Sequence, residues 1–293
     1  MILQINNISF DSILWFCAAG KSFFLGISLL IVSALLSFMK RKPVAKYIVL
    51  LFSVCGLLAI VLSATPMNIF LLLIWLTLFI LTLLCQKRKA IYFGLFVFVS
   101  LFIVALEMPY HQTKMFSIES YKAIYVIGDS VSAGMGNKDE KTWPVLLSEE
   151  LDIPVINLSI AGATVHSALK QQAPKVTGEN NLIFLEIGGN DLLNFNSPKD
   201  YEESLTELIQ CLDTSSNKIL WFELPLLPQY YSYGKIQRKL AKQLNIDLIP
   251  KFVLATAFNS KDATLDGIHL TPKGHEIMKQ QIQKLIQRER RLP

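Results

Sequence analysis

Charge is nearly missing from a long early stretch of this chain. Between Ser22 and Leu106 charged residues occur only as Lys40-Arg41-Lys42 with Lys46, and as Lys87-Arg88-Lys89. The runs Ser22–Met39, Tyr47–Thr65, Ile69–Cys85 and Ala90–Leu106 hold no Asp, Glu, Lys, Arg or His, and each has about 17–19 residues. That length is near the minimum that crosses a bilayer as helix. The runs carry no polar stripe, which excludes surface helices of a soluble domain, and four spans are expected. Ionisable groups inside a membrane mark transport paths and proton relays, so their absence argues for an anchor rather than a transporter. Bases are also missing from the connection Ser63–Asn68, whereas the other two connections carry them. Basic loops stay cytoplasmic, which puts the remainder of the chain outside the cytoplasm. Residues 1–20 contain no Lys or Arg and so lack the charged start of a signal peptide. Phe10–Gly20 is too short to span, and an interfacial helix there is left open.

Cysteine is scarce: Cys17, Cys55 and Cys85 lie in apolar runs, and Cys211 stands alone in the rest. With no CxxC and no Cys/His cluster, a zinc site has no ligand pattern to rest on. Cys211, near the end of a predicted helix, is expected to pack as a small apolar residue. A Gly-rich phosphate loop, an internal repeat and low-complexity sequence are all missing, and no metal or cofactor is expected. Positive charge is missing from the second part as well. Residues 1–108 carry eight bases and two acids, and residues 109–293 carry twenty bases and twenty-one acids. The basic balance therefore belongs to the apolar part, and a nucleic-acid partner is not expected.

What is present divides into three parts: an apolar region over 1–108, a linker over 109–121 containing Pro109, and a domain over 122–293. The domain opens on Ala123-Ile124-Tyr125-Val126-Ile127, a β-branched and aromatic run that reads as a buried strand. Gly128 breaks it, and Asp129-Ser130 follows in the turn. Further strands are expected at Pro154–Leu158, Leu182–Ile187, Lys218–Glu223 and Asp247–Ile249. Helices are expected from Thr142 with Pro144 in the first turn, from the Gly162 loop to Gln172, from Ser197-Pro198 to Leu212, over Gly234–Asn245, and from Thr271-Pro272 to near Arg290. Alternating strands and helices imply a parallel sheet covered on both faces. Trp221 and Phe222 are expected in its core, and Lys235, Arg238, Lys239 and Lys242 on the wet side of their helix.

A parallel sheet delivers the C-terminal ends of its strands to one edge, where ligands bind. The first strand brings Ser130, the second Gly162 and the third Asn190, and the loop before the last helix brings Asp266 and His269. These are the parts of acyl transfer through a serine. Ser130 is the nucleophile, His269 takes its proton, and Asp266 holds the imidazole tautomer. The backbone N–H groups of Ser130 and Gly162 and the Asn190 amide supply an oxyanion hole.

Gly128-Asp129-Ser130, Asn157…Gly162, Gly188-Gly189-Asn190-Asp191 and Asp266-Gly267-Ile268-His269 resemble, in order, the four blocks of SGNH (GDSL-type) hydrolases. The resemblance covers about residues 120–287 and none of the apolar part. It implies a flavodoxin-like three-layer α/β fold, with Ser130, Gly162, Asn190 and His269 as signature residues and Asp266 completing a triad. Trp143-Pro144 and the short spacings look nearest to the thioesterase/lysophospholipase-like branch. The function expected is a membrane-anchored serine esterase acting on an acyl ester of a lipid or cell-envelope glycan. An O-acyltransferase with a sugar acceptor and a non-catalytic binding module are the competing readings; the oligomeric state is left open. Among the other residues, His275 is expected at the surface, His111 solvated and His166 outside the site. Asp129 and Asp191 are expected to organise turns, and Glu186, in a buried strand, needs a partner that the sequence does not name.

Overall fold

The computed structural model describes residues 10–39, 43–136, 140–213 and 216–287. These form two compact units, residues 1–112 with 226–231, and residues 113–225 with 232–293.

The first unit is helical: α1 (Phe10–Ala18), α2 (Lys21–Leu36), α3 (Pro43–Leu62), α4 (Ile69–Leu84) and α5 (Lys89–Glu107). Small residues let α2 and α3 cross closely. A Cβ on Gly26 would lie 2.6 Å from the Gly56 carbonyl oxygen, so any larger residue pushes the helices apart. Beside this crossing the Ser33 and Ser53 hydroxyls meet at 2.7 Å, and the Trp75 indole N–H donates to Ser100 at 2.8 Å. Phe23, Leu30, Trp75 and Phe96 fill the interior, while Leu50, Leu51, Phe70, Leu84 and Phe98 point outward. Two helices, Val44–Leu62 and Lys89–His111, are long and apolar enough to cross a membrane. The four expected spans are not all of that length. Helices α2 and α4 have 16 residues each, about 24 Å at 1.5 Å per residue, against a hydrocarbon core of about 30 Å. The first is bent by 87° from α1, and together the pair counts as at most one further span. His111 is not solvated as expected. Its Nε2 lies 3.1 Å from Glu107 Oε1, and Phe24 packs edge-on against its ring.

The second unit is α/β. Its elements are β1 (Phe116–Ser117), β2 (Ala123–Gly128), α6 (Ser130–Ala133), α7 (Trp143–Ser148), β3 (Val155–Asn157), α8 (Val165–Gln171), β4 (Asn181–Glu186), α9 (Gly189–Leu193) and α10 (Pro198–Leu212). After these come β5 (Lys218–Phe222), α11 (Tyr231–Gln243), β6 (Asp247–Ile249), α12 (Phe252–Asn259), α13 (Pro272–Gln283) and β7 (Ile286–Gln287). Five strands form a parallel sheet in the order β3-β2-β4-β5-β6. Counted along the core strands this is 2-1-3-4-5, the doubly wound order of flavodoxin-like folds, whose switch point lies between β2 and β4. Every residue of β2 and β4 is buried, as helices on both faces demand. Trp143 of α7 lies edge-on to Phe184 and Phe222 on one face, and α13 packs beside α7. On the other side α8 packs with α10, and Tyr201 of α10 meets Tyr233 of α11 at 5.2 Å.

Several local expectations are corrected. The last helix ends at Gln283, and the chain then pairs as β7 with β1, a strand inside the expected linker; Arg290 lies outside the described residues. Cys211 is exposed rather than packed. Arg238 is 7% exposed, because its guanidinium Nε donates to Glu223 at 2.5 Å. Trp221 and Phe222 are fully buried.

Candidate active site

The switch point fixes the first half of the site. Strand β2 ends at Gly128, whose backbone N–H and carbonyl are both gripped by the buried Gln172 side chain at 3.0 Å. The chain turns at Asp129, which caps α6: its Oδ1 accepts the Val131 N–H at 3.0 Å. Ser130 is the first residue of α6, at the carboxyl edge of the sheet, and is 9% exposed. The second loop is tied to the same edge, since the Ile160 N–H donates to the Gly128 carbonyl at 3.1 Å. Gly162 sits at the third position of the turn that the Ala163 N–H to Ile160 carbonyl bond closes. Its φ of +75° is what requires glycine; a Cβ there would meet nothing within 4 Å, so close approach is not the reason.

After β4 the chain enters α9 through Gly188, and Asn190 follows. The Asn190 amide donates to the Ala163 carbonyl at 3.0 Å and to Asp129 Oδ2 at 3.3 Å. The third-block amide is thereby suspended between the nucleophile turn and the residue after Gly162. Asp191, 1% exposed, accepts the Val165 N–H at 2.9 Å and the Asn196 amide at 3.0 Å. Burial raises its pKa. Asp129 and Asp191 thus organise turns, and His166 is exposed.

The second half is a short surface loop. Asp266 Oδ1 accepts the backbone N–H groups of His269 at 2.9 Å and Ile268 at 3.1 Å, and Oδ2 lies 2.6 Å from His269 Nδ1. A carboxylate only accepts, so Nδ1 carries the proton and Nε2 is left as the acceptor. The His269 backbone N–H, followed by its ring, holds Asp266 down to about 2. Asp129, beside Ser130, is pushed up to about 6, chiefly by burial. Among the described residues no hydrogen bond joins Ser130 to His269; catalytic hydrogen bonds of this kind often tighten only in the complex with substrate.

The sequence leaves Glu186 without a partner, and the structure supplies one. Its Oε2 accepts the Ser132 hydroxyl at 2.9 Å, and Ser132 Oγ also receives the Trp143 indole N–H at 3.2 Å. Burial, and then the neighbouring Asp129, raise Glu186 well above the usual carboxylate range. His275 is fully buried rather than at the surface. The Trp143 backbone N–H donates to its Nδ1 at 3.2 Å, and its Nε2 lies 3.3 Å from Glu140 Oε1. Burial lowers its pKa, so a neutral ring with the proton on Nε2 fits both partners. Its helix carried the signal: His275, Met278, Lys279 and Ile282 recur at helical spacing and are all buried.

A doubly wound sheet with serine and asparagine at its carboxyl edge, and an Asp-His pair on the loop before the last helix, fits an ester-hydrolase type of α/β enzyme. A model of the GDSL-like Lipase/Acylhydrolase family matches residues 126–277, and the chain belongs to that family, as a carboxylic-ester hydrolase of the SGNH/GDSL type. It is 30% identical to an arylesterase of Vibrio mimicus over 167 residues, 53% of this chain and 83% of the relative. It is 27% identical to thioesterase 1/protease 1/lysophospholipase L1 of Escherichia coli (strain K12) over 168 residues, 53% of this chain and 78% of the relative. A crystal structure of TesA, 26% identical, covers 56% of this chain and 97% of its own with a TM-score of 0.49.

Proposed function

We propose that this enzyme is a membrane-anchored serine esterase acting outside the cytoplasm on an acyl ester of a lipid or envelope glycan. Ser130 Oγ attacks the ester carbonyl while His269 Nε2 takes its proton. The tetrahedral intermediate collapses as the protonated His269 gives that proton to the departing alkoxide. Water, activated by the same Nε2, then releases the acid from Ser130. Asp266 holds the tautomer, and the N–H groups of Ser130 and Gly162 take the oxyanion together with the Asn190 amide, which turns one N–H to it from its longer 3.3 Å bond to Asp129. The observation that carries this reading is the 2.6 Å Asp266–His269 bond, which leaves Nε2 as an acceptor.

An apolar acyl group is supported by what surrounds the site. Met135, Leu193, Phe195, Leu265 and Ile268 are exposed, and all lie on the three loops that carry Ser130, Asn190 and His269. Phe195 is 87% exposed with a φ of +55°, a backbone state that bulky residues rarely adopt. Anchoring through four crossings rests on the apolar runs, with α2 and α4 crossing where the bilayer thins to meet them. The outward orientation rests on the basic connections.

The test uses the purified full-length enzyme with a short activated ester, and with acylated envelope lipid or glycan. Release of free acid without added acceptor is expected. Turnover that requires a sugar acceptor, with the acyl group recovered on it, establishes the transferase instead. Cysteine-accessibility mapping that places Lys87–Lys89 outside the cell overturns the orientation.

A further inference from the structure

Behind the catalytic edge lies a buried acid that the proposed reaction does not use. Glu186 closes β4 directly opposite Gly128 of β2, is 2% exposed, and folds its side chain beneath the nucleophile turn. A Cβ on residue 128 would stand 2.8 Å from the Glu186 carbonyl oxygen and 3.0 Å from its Oε2. Glycine at the head of the Gly-Asp-Ser block is therefore what makes room for this acid. Glu186 takes the Ser132 hydroxyl from the turn at 2.9 Å. The Val131 N–H is taken by Asp129 Oδ1 at 3.0 Å. The N–H before it belongs to Ser130, the first residue of α6, where a helix offers no internal acceptor. Pinning the Val131 N–H and the Ser132 side chain just after it fixes the direction of that one group.

We propose that Glu186 is a positioning residue for ester hydrolysis: by holding the Ser132 hydroxyl beneath the turn, it aims the Ser130 N–H at the oxyanion. The inference rests on Ser130 being the nucleophile. Glu186 acts as a hydrogen-bond acceptor and not as a charge. The titratable group that faces it is Asp129, which in turn faces Asp191 and His269; burial and Asp129 raise Glu186 well above the usual carboxylate range. Ser132 extends the clamp to the sheet face through the Trp143 indole.

The test is steady-state kinetics of the full-length protein in detergent micelles with p-nitrophenyl butyrate, using Glu186→Ala, Glu186→Gln, Ser132→Ala and Ser130→Ala. An oxyanion donor that loses its aim costs roughly 10²–10³ in kcat, so Glu186→Ala should fall in that range with KM within about threefold of wild type. Glu186→Gln keeps a carbonyl acceptor and no charge. It should restore kcat to within about fivefold, with a pH profile that superposes on the wild type. If Glu186→Ala does not fold, Ser132→Ala, which removes the bond to Glu186 and the one from the Trp143 indole, should lower kcat about tenfold in a protein that still folds, with KM unchanged. Unchanged kcat in both Glu186→Ala and Ser132→Ala, or a loss carried by KM, overturns the proposal. So does a Glu186→Gln as impaired as Glu186→Ala, since an acceptor alone would then not suffice. Full activity in Ser130→Ala removes the nucleophile assignment itself, and the proposal with it, whatever the Glu186 variants do.

Discussion

The two halves of the candidate site are built in opposite ways. The nucleophile turn is buried: Asp129 is 4% exposed, Glu186 2% and Asp191 1%, and each is bonded to a loop or helix start at that edge. The Asp-His loop is a surface element, with the Asp266 side chain 56% exposed and its bonds confined to residues two and three positions ahead. Burial pushes Asp129 up to about 6, and local donors hold Asp266 down to about 2. Two aspartates at one site thus carry different burdens. The first braces the turn, at a cost to stability when ionised; the second bonds the His269 ring on an exposed loop.

Substitutions can sharpen or break this contrast. The largest effect is expected from Ser130→Ala and His269→Ala. Each should lower kcat by roughly 10⁵ or more, because the two act as one unit. Asp266→Asn should cost roughly 10²–10⁴ in kcat by disturbing the tautomer, with a melting temperature within about a degree or two of wild type, as for other exposed substitutions. A large drop in melting temperature would erase the distinction between the halves. Asn190→Ala should cost roughly 10²–10³ in kcat, the scale of one oxyanion donor.

The smallest effect in rate terms is the most specific to the buried half. Asp129 has a raised folded-state pKa, so the native state binds its proton more tightly than the unfolded chain does. The stability this proton confers is complete below about pH 4 and is lost as pH rises through about 6. Asp129→Asn should therefore melt like the wild type near pH 4 and higher than it at pH 7–8, by of order 3 kcal/mol. It should also turn over more slowly, since an amide at that position no longer offers two acceptors to Val131 and Asn190. Denaturation of the full-length protein across pH 4–8 reads the first effect. A difference that is constant with pH would mean that Asp129 is not the titrating group.

What the sequence discloses about this site follows from chain distance. Asp266 and His269 are three residues apart, so their pairing is readable without a fold. Ser130 and Asn190 each end a strongly apolar strand, and the parallel alternation brings them to one edge. The supports are not readable in the same way. Ser132 reaches Glu186 across 54 residues, Gln172 reaches Gly128 across 44, and Trp143 reaches His275 across 132. Each needs the register of β2 on β4, the seat of the α8 C-terminus against β2, or α7 beside α13 before it can be named. The reason for Gly162 was likewise hidden, because a backbone φ leaves no mark on composition. In the helical unit the apolar runs were evident, but the 87° bend after α1 and the short α2 and α4 were not, since runs of similar hydropathy differ in where their helices end.

The central claim is that Ser130 is the nucleophile of an ester hydrolase. It is tested most directly by treating the purified full-length enzyme with an alkyl fluorophosphonate and mapping the adduct by peptide mass spectrometry. The predicted result is one alkylphosphonyl group per chain, on the peptide containing Ser130, with activity lost in proportion to labelling and both effects strongly slowed in His269→Ala. Labelling at another serine, or complete inactivation with Ser130 unmodified, would contradict it.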